Sequence, residues 1–163
     1  MDRVLIQSAL SDQSQMWFYF TPDRLSEEQM SQFEWQRNEF LGAWNTHGKP
    51  NTGDVFLLEG RLIIIVGENG VEGISGCSID KSVAWIKSLS LEWGMDLMDR
   101  NWVMFEKSPG EIQFSRLNLF WALRKAQEVT DETLIFDTSV QTLGQFRREF
   151  KKPFSHSWHA RMW

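Results

Sequence analysis

Five consecutive aliphatic residues, Leu62-Ile63-Ile64-Ile65-Val66, constrain the fold of this chain more than any other feature. The run is short of the about 18 apolar residues a membrane span needs, and it has the length of a strand. Successive strand residues point to opposite faces, so a strand apolar at every position demands cover on both sides of its sheet. A second such segment is Met16-Trp17-Phe18-Tyr19-Phe20, closed by Thr21-Pro22. Two strands of this kind belong at the centre of a sheet.

Around them the punctuation is clear. Ser26 and Gln29 form a capping box that opens a helix, and Met30, Phe33, Phe40, Leu41 and Trp44 continue it as one apolar stripe. Gly48 is its expected left-handed stop, with Pro50 beyond. Residues 54–58 and 61–66 read as strands joined through Glu59-Gly60. A glycine-punctuated loop over 67–76 leads to a second helix, expected to begin near Ser78 with Asp80 in its first turn and to end at Gly94. Strands follow at 102–106 and 111–115, then a helix over 119–127, a strand over 133–137, a helix capped by Thr142, and an aromatic tail.

The first six elements run β-α-β-β-α-β, the order of a ferredoxin-like unit, in which the first and third strands are central. Those are the two apolar segments named above. Because that unit carries helices on one face only, the other face needs the C-terminal segment or a second subunit. The expected fold is therefore α+β, a single domain over 1–163. Its ferredoxin-like βαββαβ core spans 16–106, and a C-terminal α/β extension over 107–163 covers the sheet. A homodimer is the alternative cover.

With 163 residues the chain can bury roughly 70% of its unfolded surface and hold its own core. Lys and Arg total 17 against 22 Asp and Glu, a net charge of −5. Its one dense basic stretch, Arg147, Arg148, Lys151 and Lys152, is interrupted by Glu149 and Phe150, so no nucleic-acid partner is expected. The three-residue apolar run at Val4-Leu5-Ile6 falls short of the about 7–15 residues of a secretory signal, which points to a cytoplasmic protein with no membrane partner. A single cysteine, Cys77, excludes an intramolecular disulfide and a multi-cysteine metal site. His156 and His159 lack an acidic neighbour and read as an exposed polar tail, so neither metal nor cofactor is expected. Most of the nine tryptophans belong in the core. Trp35 falls off the stripe of its helix and suits a partner surface or a pocket.

The segment Ser75-Gly76-Cys77-Ser78-Ile79-Asp80-Lys81-Ser82 carries the most chemistry. It leaves a glycine loop and enters a helix N-terminus, where free N–H groups and the helix dipole favour an anion. Ser75, Gly76 and Ser78 would supply donors, Lys81 a positive charge, and Asp80 a cap or a repelling charge. The leading expectation is a small-molecule module binding an anion there. Cys77 is the nucleophile candidate of an enzyme or thiol sensor, since the same dipole favours a thiolate; the bland alternative is a buried, inert thiol. His47 is its candidate partner, placed by the expected helix near its C-terminal end, where the dipole suits an imidazolium. The two lie at nearly opposite ends of a ferredoxin-like unit, so a couple between them does not follow from the motifs. A third alternative is a homo-oligomeric interaction module. A Walker A loop is excluded, because Asp80 rather than glycine precedes Lys81.

The combination of Trp44-x-x-His47-Gly48, a hydrophobic hairpin, and Ser75-Gly76-Cys77-Ser78-Ile79-Asp80 resembles a family of bacterial proteins of about this length whose activity is uncharacterised. The aromatic Trp17-Phe18-Tyr19, and Ser157-Trp158 followed by Arg161, extend the resemblance over nearly the whole chain. Some members carry an ABC-transporter ATPase label, which the absent Walker A loop contradicts for this sequence. The resemblance adds weight to His47 and Cys77 without assigning either a role.

Overall fold

The computed structural model describes the backbone from Arg3 onward and side chains from Leu5 onward. Two compact units form, one reaching to Asp99 and including Gln141–Gly144, the other comprising Arg100–Val140 and Gln145–Trp163. The fold is mixed α and β with antiparallel sheets.

In the first unit a short helix α1 (Arg3–Ile6) precedes β1 (Gln15–Phe20), α2 (Glu27–Ala43), a small hairpin β2 (Asn45–Thr46) and β3 (Lys49–Pro50), β4 (Thr52–Leu58), β5 (Leu62–Glu68) and α3 (Gly76–Trp93). The main sheet has the order β1-β5-β4, so the aliphatic run is central. Leu62, Ile63, Ile64, Ile65 and Val66 are all 0% exposed. On one face Tyr19, Val55, Ile63 and Ile65 pack with Phe33 of α2 and with Ile86 and Leu89 of α3. On the other, Met16, Phe18, Phe20 and Phe56 are buried too. Ser26 and Gln29 close the capping box, and Gly94 ends α3 in the left-handed conformation, both as the sequence requires. Trp35 is 66% exposed, as its place off the stripe demands.

The second unit contains β6 (Trp102–Ser108), β7 (Glu111–Arg116), α4 (Leu117–Lys125), β8 (Leu134–Phe136), most of α5 (Leu143–Glu149), β9 (Lys151–Pro153), a 3-10 turn over Phe154–His156 and α6 (Trp158–Met162). Its sheet runs β7-β6-β8-β9 over a core of Val103, Phe105, Phe120, Val129, Ile135 and Phe154. The strand expected to complete the first sheet, at 102–106, is thus hydrogen-bonded between β7 and β8. A tight turn through Pro109-Gly110 makes β7 its nearest partner, and neighbours in sequence pair most readily. The edge of β1 that a fourth strand would occupy instead carries backbone bonds from Met16 N–H to the Gln141 carbonyl (3.0 Å) and from Leu143 N–H to the Ser14 carbonyl (2.9 Å). No described helix is long and apolar enough to cross a membrane.

Candidate functional site

The segments 44–48 and 75–80 meet at the start of α3. The first helix stops earlier than its stripe suggests, because Trp44 is extended (φ −80, ψ 114). Asn45 and Thr46 then pair with Pro50 and Lys49. His47 (φ 51) and Gly48 (φ 78) both take the left-handed conformation of a two-residue hairpin turn. His47 is therefore exposed at a hairpin tip, not near the C-terminal end of a helix. Gly48 serves as the second turn residue instead of a helix stop, its N–H held by the Asn45 side chain at 3.3 Å.

This hairpin lays Thr46 and Asn45 against the N-terminus of α3. Thr46 Oγ1 accepts from the Ser75 N–H at 3.3 Å and lies 3.0 Å from Ser78 Oγ. Ser78 Oγ donates to the Asn45 carbonyl and accepts from Ser75 Oγ at 3.1 Å. The Trp44 indole N–H donates to the Ser78 carbonyl at 2.8 Å. Thr46 also donates to Asn51 Oδ1 (2.7 Å), which accepts from Asn69 Nδ2 at 2.8 Å. The two motifs, expected near opposite ends of the unit, are thus joined by a buried polar network.

That network consumes two of the expected donors. Ser75, not Ser78, is the N-cap, its hydroxyl accepting the Ser78 N–H at 3.2 Å. Ser78 is fully buried. The helix accordingly begins at Gly76, and Asp80 falls beyond its first turn, where the dipole has faded. Gly76, Cys77, Asp80 and Lys81 are all exposed, the last three on the solvent side of α3. The thiol is therefore not the buried one of the bland reading.

Trp44 pins this corner to the sheet. Gly53 and Gly67 are paired across β4 and β5, and the indole lies on them. A Cβ at Gly67 would sit 2.5 Å from Trp44 Cη2. Side-chain loss at both glycines makes room for the ring, which is 2% exposed.

On the loop's earlier half lies a cavity of about 490 Å³, bounded by Gly67, Gly70 and Gly73 together with Ser11, Gln13, Gln15 and Glu68. The β1–β5 register sets Gln15 opposite Gly67, beside Glu68. Gln15 Oε1 accepts the Ile74 N–H at 3.0 Å and so ties β1 to the loop. Glu68 accepts from Ser11 and, at 2.9 Å, from Ser14. The Ser11 hydroxyl, aided by Ser14, outweighs burial and holds the Glu68 carboxyl below its ordinary value. The wall carries one fixed negative charge beside the amides of Gln13 and Gln15, and among the described residues neither Lys nor Arg lines it. Sequence reasoning missed Glu68, Gln15 and Ser11, since strand register and the turn before β1 bring them together. Among the described residues no group of three or more His, Cys, Asp or Glu is placed to hold a metal ion. No family model, curated protein or solved structure matches the chain.

Proposed function

We propose that the first unit is a binding module for a small polar molecule, seated where the glycine loop leaves β5. The cavity of about 490 Å³ carries this reading, because its wall presents an ionised carboxylate that is already oriented by two serines. Glu68 selects a donor-rich cation, such as an ammonium group, and the amides of Gln13 and Gln15 suit its polar substituents. Membership of the bacterial family with the motifs at 44–48 and 75–80 belongs to the same proposal.

A second reading keeps the anion at the start of α3. It is favoured by the open space at Gly76, where an added Cβ would meet nothing within 4 Å, and by the exposure of Cys77 and Lys81 beside it. One thermal-shift panel separates the two, using ethanolamine, putrescine and free amino acids against inorganic phosphate. An amine at 100 times its Kd should stabilise the protein by about 2.7 kcal/mol. Glu68→Gln should remove that gain, since a charged hydrogen bond contributes about 1.5–3 kcal/mol. Stabilisation by phosphate alone would favour the second reading, and no shift with any probe would remove both.

A further inference from the structure

The second unit contains a larger cavity, about 620 Å³, between the end of α4 and the loop before β8. Its walls include Arg124, Lys125, Gln127, Asp131, Glu132 and Trp163. We propose that it is a second binding site, independent of the first, and that its ligand is a neutral saccharide.

Charge argues first. The lining side chains comprise two cations and two carboxylates, which cancel, so these side chains favour neither an anion nor a cation. Arg124 is moreover committed to the protein, donating to the Val129 carbonyl at 3.1 Å and to Asp131 at 2.5 Å. Its guanidinium lies over Phe154, 4.4 Å from the ring centroid, and is held as a rigid wall. What remains is Lys125, Gln127, Thr130 and Glu132, which together donate and accept and so match hydroxyl groups that do both.

An aromatic platform completes the match. Trp163 lines the cavity, stacks on Trp121 at 5.6 Å and 29°, and has the Arg124 guanidinium 5.9 Å from its ring centroid, yet it remains 57% exposed. An indole ring with an accessible surface packs against the apolar C–H face of a sugar ring while its surroundings bond the hydroxyls. Gln127 adds an independent mark. It follows Ala126, the C-cap of α4, in the left-handed conformation (φ 62), the position glycine usually takes, while the Glu128 N–H returns to the Leu123 carbonyl at 3.0 Å. The chain accepts a strained backbone there and places an amide side chain on the cavity wall.

The test is an NMR titration of the full chain with glucose, galactose, N-acetylglucosamine, maltose and cellobiose, up to about 10 mM to reach millimolar affinities. The Trp163 indole N–H signal is identified by its loss in Trp163→Ala. At least one sugar should shift that signal and the amides of Gln127 and Asp131. Trp163→Ala should abolish the amide shifts. Gln127→Gly should weaken binding about tenfold, the scale of one lost hydrogen bond, while thermal stability stays equal or rises. The proposal is overturned if no sugar moves these signals, if Gln127→Gly and Trp163→Ala bind as the parent does, or if adenosine monophosphate or inorganic phosphate acts where the sugars do not.

Discussion

His159 is 3% exposed, with its ring against those of Trp158, Phe120 and Trp121 at centroid distances of 3.9, 5.5 and 6.1 Å. Burial pushes its pKa from 6.5 down to about 4, with Asp137 opposing. The native imidazole stays neutral while the unfolded one takes up a proton below about pH 6.5. Its contribution is therefore complete above that pH, falls as pH drops to about 4, and is lost below; the total is roughly 3 kcal/mol. At Asp137, burial acts to raise the carboxyl, but bonds from Ser139 and Lys152 outweigh it and leave the value lowered. That group also loses stability on acidification, so the histidine must be isolated by difference. In denaturant unfolding at pH 7.5 and pH 4, His159→Phe should reduce the acid loss by roughly 3 kcal/mol. An equal loss in both proteins would show that the imidazole is not held neutral. The sequence suggests an exposed histidine tail, and only His156 fulfils that. The rings burying His159 include two from α4, and no local pattern announces such a contact.

Local punctuation was readable wherever the partner lay within one turn, as with Ser26 and Gln29 or Gly94. It misled wherever one residue type serves two devices. Gly48 suits a helix stop and a hairpin turn equally, and the pairing of Asn45 with Pro50 decides for the hairpin. Ser75 and Ser78 are both good caps; the contacts of Ser78 with Asn45 and Thr46 leave the cap to Ser75. The glycine loop shows the same ambiguity in its energetics. Gly67→Ala should cost about 1–3 kcal/mol, because its Cβ would strike the Trp44 ring at 2.5 Å. Gly76→Ala meets open space inside a helix and should be neutral or stabilising by up to about 1 kcal/mol. Urea midpoints of the two variants check this pair. Equal tolerance of both changes would mean that Trp44 does not press on the sheet.

At the scale of the whole molecule, the central place of 62–66 follows from its own apolar run, whereas 16–20, expected beside it at the centre, forms an edge strand of that sheet. The order β1-β5-β4 is that of the first three strands of the expected unit. Element order could not assign the next strand to its sheet, since 102–106 is compatible with an edge of β1 and with the hairpin it forms with β7. The site was legible only in part for the same reason. The glycine loop is visible in sequence, whereas Glu68, Gln15 and Ser11 gather around it through β-pairing and an intervening turn. Binding of a small amine at that loop is most directly tested by backbone-amide shift mapping of the full chain with ethanolamine. The signals of Gly67, Gly70, Gly73 and Ile74 should move together in the parent protein and stay still in Glu68→Gln. Movement confined to Gly76, Cys77 and Lys81, or none at any of these positions, would contradict the assignment of the site to the Glu68 cavity.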